Sequence, residues 1–174
     1  MNYAQALYGL AKEEGTDAQI LSQLQVLDEG FAREPDFLRL LVAPALSKEE
    51  RCGIVEESFR NRVHPYVLNF MKLLTEKGYA RHFGECAKAY KQLYNEDHGI
   101  VCVCAVTAVE LSKQQRQKLQ QKLEQVIGKQ IELQTSVDTS CIGGIRLDYD
   151  GKRVDGTVKN RLDSIGKLLK NTVL

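Results

Sequence analysis

A change of hydrophobic period at Gly99 constrains this chain more than any other feature. Before it, apolar residues recur every three to four positions. After it comes Ile100-Val101-Cys102-Val103-Cys104-Ala105-Val106, a run rich in β-branched residues and apolar at every position. The first spacing is that of helix faces, and the second reads as a buried strand. A chain of 174 residues with such a switch is expected to divide into a helical part and an α/β part.

Six helices are expected ahead of the switch. Tyr3, Ala6, Leu7, Leu10 and Ala11 fall on one face of the first, which Gly15 ends. The second starts near Asp17, turns Ile20, Leu21, Leu24, Leu27 and Phe31 inward, and stops at Pro35. A short third holds Phe37, Leu38, Leu40 and Leu41. Ser47 with Glu50 forms a capping box that opens a fourth through Ile54, Val55 and Phe59. His64-Pro65 opens the fifth with proline at the favoured first position, and Gly78 closes it. Its apolar residues, Val67, Leu68, Phe70, Met71, Leu73 and Leu74, cover more than one face of the cylinder. The sixth, from about Arg81 to Glu96, carries Phe83, Cys86, Ala87, Tyr90 and Leu93.

Beyond the first strand, Ser112 and Gln115 cap a helix through Leu119, Leu123 and Val126 that ends at Gly128. Ile131, Leu133, Thr135 and Val137 then alternate with polar residues, as in a half-buried strand. Ile145-Arg146-Leu147 and Lys152-Arg153-Val154 flank Asp150-Gly151, a hairpin signal. A last helix carries Val158, Leu162, Ile165, Leu168 and Leu169. The expected fold is therefore α+β. A six-helix bundle over residues 1–105 precedes a small α/β domain over 106–174 with a mixed sheet and hairpin, and the strand from about residue 100 is a candidate member of the second.

Charge divides along the same line. Residues 1–105 hold 12 basic and 15 acidic side chains, a net of −3, and residues 106–174 hold 12 and 8, a net of +4. The whole chain is +1, which gives no overall attraction to nucleic acid or anionic lipid. Opposite signs suggest two different partners, although ordinary solvated surfaces account for them as well. The longest apolar stretch, Ile100 to Val109, is about half a membrane span. The start of the chain lacks the pattern of a secretory signal, so a cytosolic setting is expected unless something holds the chain against a membrane.

Reactive motifs are missing. The Gly-Lys pairs at Gly128, Gly151 and Gly166 lack the upstream glycine and the following Ser or Thr of a phosphate-binding loop. Dinucleotide, zinc-protease and serine-hydrolase signatures are absent as well. The histidines, His64, His82 and His98, lie far apart. Cys52, Cys86, Cys102, Cys104 and Cys141 are an odd number and read as reduced, mostly buried thiols; Cys102 and Cys104 share one strand face, which fits a packed core. No catalytic residue, cofactor or metal site is expected.

Two segments carry a family resemblance. Ile142-Gly143-Gly144-Ile145-Arg146-Leu147, followed by Val154-Asp155-Gly156-Thr157-Val158 and Arg161-Leu162, resembles the signature of the delta subunit of the F-type ATP synthase, the family of the oligomycin-sensitivity-conferring protein. The opening Tyr3-Ala4-Gln5-Ala6-Leu7-Tyr8 is similar to that family's start. Thr157 stands where serine is usual, and keeps the hydroxyl. Read on their own, Gly143 and Gly144 supply backbone geometry, and Asp155 and Thr157 have oxygens suited to capping the last helix.

The resemblance implies a non-catalytic peripheral-stalk subunit of a proton-translocating complex, present as one copy and monomeric when free. It would join the catalytic head to the stalk and resist rotor torque, held through the complex at the cytoplasmic face of a bacterial plasma membrane without inserting. It implies an alpha-subunit N-terminal helix in a groove between the first and fifth helices. Tyr3, Ala6, Leu7 and Leu10 would line one wall, and Phe70, Leu73, Leu74 and Lys77 the other; each also fits a core position. It implies contact with the C-terminal end of the stalk b subunit, through Arg161, Lys167, Leu168 and Lys170. The main alternative is a nucleic-acid-binding regulator using the positive half. It lacks an aromatic platform, since Tyr149 is the only aromatic after Tyr94. A second, a small carboxylate enzyme, would need a deep pocket with shifted pKa values.

Overall fold

A computed structural model describes residues 2–149 and 151–158. The helices are α1 (Asn2–Glu13), α2 (Asp17–Arg33), α3 (Pro35–Leu40), α4 (Lys48–Phe59), α5 (Pro65–Glu76), α6 (Phe83–Asp97) and α7 (Lys113–Ile127). The strands are β1 (Ile100–Thr107), β2 (Gln130–Val137), β3 (Ile145–Tyr149) and β4 (Lys152–Asp155), and 3-10 turns occupy Ala80–His82 and Thr139–Cys141. The last expected helix lies outside the described residues apart from its start at Val158.

The chain separates into two compact units, residues 1–94 and 95–174. The boundary thus falls inside α6 and not after residue 105. The reason is hydrogen bonding: β1 pairs along its length with β2 and over its second half with β3, so it cannot be divided from them. Moving the boundary transfers Glu96 and Asp97, and the charge contrast shrinks to −1 against +2.

In the first unit the caps form as the sequence signals them. The Ser47 hydroxyl accepts from the Glu50 N–H at 3.2 Å while the Glu50 carboxylate accepts from the Ser47 N–H at 2.8 Å. Pro65 occupies the first turn of α5, and Gly78 follows its end at φ +76°. One core unites the helices, with Ile20, Leu24, Leu41, Val55, Val67, Leu74, Phe83 and Tyr90 almost without solvent contact. Phe31 is its aromatic hub, edge-on to Phe83 with centroids 5.0 Å apart and stacked on Phe37 at 5.7 Å. The Tyr90 hydroxyl donates to the Asp17 carbonyl at 3.1 Å, and burial pushes its pKa far up. The sixth helix opens at Phe83, because a 3-10 turn takes up Ala80–His82.

The second unit is a four-stranded mixed sheet in the order β2-β1-β3-β4. β1 runs parallel to β2 through the α7 crossover, and β1–β3 and β3–β4 are antiparallel. Ser112 and Gln115 form a capping box, and Gly128 ends α7 in the left-handed region. Three details depart from the sequence reading. Val126 is 84% exposed, and Ile127 takes the half-buried place instead. Val137, at the open end of β2, is exposed. Cys102 and Cys104 do share a face, but Cys102 is exposed and Cys104 only half-buried. β1 is packed at Val103, Ala105 and Thr107 on one face and at Val106 on the other; Cys102 and Cys104 are less covered, with Glu132, Gln134 and Asp148 beside them in register. Of the five thiols only Cys141 is buried, and none is in a disulfide.

Candidate functional site

The surface of the first unit holds an apolar seam between α1 and α5. The core face of α1 is Ala4, Leu7, Tyr8 and Ala11, rotated from the stripe expected. Tyr8 sets this rotation by packing edge-on against Tyr90, centroids 5.3 Å apart. Tyr3, Ala6 and Leu10 are thereby turned away from the centre. Leu10 is 49% exposed, Ala6 exposed and Tyr3 half-buried. On α5 the core takes Val67, Phe70, Met71, Leu74 and Thr75, while Leu73 is 37% exposed and Lys77 exposed.

Two contacts align these flanks. The Tyr66 hydroxyl donates a short hydrogen bond to Glu14, just past the end of α1, which raises the tyrosine pKa. At the other end Tyr3 meets Tyr79, centroids 6.3 Å apart. The helices therefore run antiparallel. Tyr3, Leu7, Leu10 and Glu14 on α1 and its end face the equally spaced Tyr66, Phe70, Leu73 and Lys77 of α5. Leu7 and Phe70 are buried, and Leu10 and Leu73 are exposed. Leu74 belongs to the core, at 1% exposure.

A cavity of 620 Å3 adjoins the Tyr3 end, lined by Tyr3, Ala4, Leu74, Tyr79, His82, Glu85, Cys86 and Ala89. His82 Nδ1 lies 3.1 Å from a Glu85 carboxylate oxygen. Burial pushes the Cys86 thiol pKa up, so this thiol is not primed as a nucleophile. Sequence reading passed over Tyr66 and Tyr79. Tyr66 was discoverable, lying four residues before Phe70 and seven before Leu73. Tyr79 lies past the helix end, where spacing gives no signal.

The signature residues of the second unit meet in a backbone clasp. Gly144 sits at φ +85°, and a Cβ there would come within 2.6 Å of the Gly156 carbonyl oxygen and 2.9 Å of the Thr157 Cα. Gly156 N–H donates to the Ile145 carbonyl and Val158 N–H to the Gly143 carbonyl, both at 3.0 Å. The Asp155 carboxylate accepts from the Thr157 hydroxyl at 2.7 Å and from its N–H at 2.9 Å, and these bonds lower its pKa. Helical geometry begins one residue later, at Val158. Only glycine allows the crossing at Gly144, and the Asp155 carboxylate takes up the Thr157 N–H and hydroxyl just ahead of Val158. The crossing thus uses the Gly143 carbonyl, the bare Cα of Gly144, the Asp155 carboxylate, and the Thr157 N–H and hydroxyl. Ile142, just before the pair, holds φ +64° and is exposed, a strained setting for a β-branched residue.

Arg161, Lys167, Leu168 and Lys170 lie outside the described residues. Among the described residues no group of three or more His, Cys, Asp or Glu side chains is placed to hold a metal ion. No helix among them is long and apolar enough to cross a membrane.

Residues 1–169 match the family model for the ATP synthase delta (OSCP) subunit. The ATP synthase subunit delta of Alkaliphilus oremlandii is 34% identical over 172 residues, covering 99% of this chain and 96% of that one. The ATP synthase subunit delta of Clostridioides difficile is 30% identical over 172 residues, covering 98% and 95%. A chain in the cryo-EM structure of the Toxoplasma gondii mitochondrial ATP synthase hexamer superposes with a TM-score of 0.76 at 21% identity, over 97% of this chain and 95% of that one. That likeness is one of fold.

Proposed function

The chain belongs to the ATP synthase delta (OSCP) subunit family, and we propose that it works there as a non-catalytic clamp whose two units hold different partners. It is a peripheral-stalk component of F-type ATP synthase, and the nucleic-acid reading is left without support. The helical unit, acting as one bundle, takes the N-terminal helix of an alpha subunit. The α/β unit takes the C-terminal end of the b subunit, through the last helix with Arg161, Lys167, Leu168 and Lys170. The complex carries the chain at the cytoplasmic face of a bacterial plasma membrane, one copy in each.

The seam between α1 and α5 is the observation that carries the first interface. An amphipathic helix docks by placing apolar anchors at i, i+3 and i+4 into a trough with apolar walls. Leu10 and Leu73 supply such walls above a buried floor, exposed Ala6 adds no bulk beside them, and Lys77 offers a cation at one end. A subunit of this kind transmits force through packed surfaces, in keeping with the lack of a phosphate-binding loop in its sequence.

Titrating an alpha-subunit N-terminal peptide into the full chain tests this. Leu10→Asp and Leu73→Asp are expected to weaken binding by more than about tenfold while leaving the thermal melt within about 0.5 kcal/mol of the parent, as surface changes do. Leu74→Asp, which places a charge in the core, is expected to unfold the unit. Unchanged affinity in both surface variants would remove the seam as the docking site.

A further inference from the structure

We propose that Cys102 and Cys104 form a two-thiolate site for a linear, two-coordinate soft cation of the Cu(I) type. Both side chains lie on the cysteine-bearing face of β1, away from Val103 and Ala105. Residues two apart on a strand have Cα atoms about 6.6 Å apart and parallel Cβ directions. A disulfide needs Cβ atoms about 3.5–4.5 Å apart, so the flat strand holds the pair too wide to cross-link itself. A linear ion needs less approach. Taking the zinc–thiolate length of about 2.3 Å as a guide, two opposed bonds span about 4.6 Å, a separation that staggered χ1 rotamers turned towards each other would give.

The surroundings favour this class of ion. Soft thiolates select soft cations. Among the described residues no group of three or more His, Cys, Asp or Glu side chains is placed to hold a metal ion, which disfavours tetrahedral zinc. Asp148, beside Cys104 in register, is engaged by the Arg153 guanidinium at 2.6 Å and by Arg146 at 3.4 Å. Around Cys102, the Asn95 amide donates to the sulfur at 3.1 Å, and the thiol donates to a Glu132 carboxylate oxygen at 3.3 Å. The pair opens on a depression of 530 Å3 whose lining includes Gln134, Asp148, Lys152 and Arg153. Cys52, on α4, Cys86, on α6, and Cys141, in a 3-10 turn, have no second cysteine at this spacing.

Binding is an exchange of protons for metal. Two S–H bonds break and two S–Cu bonds form. The Cys102 proton passes first to Glu132, both protons end in solvent, and copper stays Cu(I), so no electron moves. The cation becomes a bis-thiolate complex of charge −1, near Lys152 and Arg153, whose charges oppose it.

Anaerobic titration of the full chain with Cu(I), against a coloured Cu(I) chelator, tests the site. The parent is expected to retain one equivalent. Cys102→Ser and Cys104→Ser are each expected to lower the affinity on the order of a hundredfold, with unchanged circular dichroism, and a Cys52→Ser/Cys86→Ser/Cys141→Ala variant to keep it. Should that variant fail to fold, X-ray absorption on the copper-loaded parent decides, with two sulfurs at one distance and no nitrogen or oxygen expected. Failure of the parent to retain copper, retention by either serine variant at parental affinity, or a three- or four-coordinate spectrum would overturn the proposal.

Discussion

The two units of this chain are stabilised in different ways. The helical unit has a conventional core: large side chains from α1 through α6 converge on Phe31, Phe83 and Tyr90. Among its described residues the α/β unit has few fully buried side chains, and α7 has none. Its order comes from the sheet ladder, from caps, and from a crossing of two glycine-containing segments. A core tolerates small changes at any one place by repacking, whereas a backbone clasp has no slack. The first unit should therefore be damaged by what is placed inside it, and the second by what is added to its backbone.

Where the chain is cut tests the division most severely. A fragment ending at Asp97 keeps α6 whole and is expected to melt cooperatively as a soluble helical protein. A fragment ending at residue 105 adds most of β1, an apolar strand without either neighbour, and is expected to aggregate. Sedimentation and circular dichroism of the two fragments decide. Equal solubility would mean that β1 does not need its partners, and the boundary inside α6 would lose its meaning.

Next in size is a pair of glycine substitutions. Gly78 and Gly144 both have positive φ, but a Cβ at Gly78 meets open space and one at Gly144 meets the Gly156 carbonyl at 2.6 Å. Gly78→Ala carries only the conformational strain, about 1–2 kcal/mol. Gly144→Ala adds a clash against backbone that cannot rotate away, for a total of about 2–5 kcal/mol. Chemical denaturation of both variants measures the gap. Equal losses would show that the clasp yields as easily as a helix cap.

Legibility in the sequence follows the same contrast. Helices and caps were readable because period and capping residues are local: Ser47 with Glu50, Ser112 with Gln115, and Pro65 all act where they were placed. What needed structure was the choice between stripes. Tyr3–Leu7–Leu10 and Ala4–Leu7–Tyr8–Ala11 both have helical spacing, and only the ring of Tyr90, far away in sequence, decides for the second. The same holds for Cys102, which is exposed on a face where β2 and β3 bring polar residues into register. Leu73 and Leu74 illustrate it most closely, adjacent in sequence with one exposed and the other in the core.

Acid should separate the units more gently. Asp138, Asp148 and Asp155 in the α/β unit all have lowered pKa values, through hydrogen bonds from Ser140, Arg153 and Thr157 respectively. A carboxylate whose folded pKa lies below its unfolded one stabilises the fold above the unfolded value, about 4 for Asp. That contribution is lost as pH falls through the folded value. In the helical unit Glu50 and Glu56 shift in the same direction, through Ser47 and Lys72, but the aromatic core does not titrate. Hydrogen exchange below about pH 4 is thus expected to open β3, β4 and the clasp before α5 and α6. Asp155→Asn is expected to remove part of this acid sensitivity, and simultaneous opening of both units would contradict the contrast.

The smallest effect is the most discriminating, because it applies one device in two settings. Ser47 and Ser112 both make a capping box, the hydroxyl accepting at 3.2 Å in each and the N–H donating at 2.8 Å to Glu50 and 2.9 Å to Gln115. Replacing either by alanine costs about 1 kcal/mol. Behind the cap the helices differ: α4 anchors the fully buried Val55, while α7 holds its place with half-buried Leu119, Leu123 and Ile127 and the Gln120 amide on the Ile131 carbonyl at 2.9 Å. A helix fixed to a core can lose its first turn only together with that core, so Ser47→Ala should lower the global stability of the helical unit. A helix resting on a sheet can fray alone, so Ser112→Ala should raise exchange in the first turns of α7 and leave the protection of β1 unchanged. If β1 loses protection in step with α7, the α/β unit is as cooperative as the helical one, and its stability does not reside mainly in the ladder.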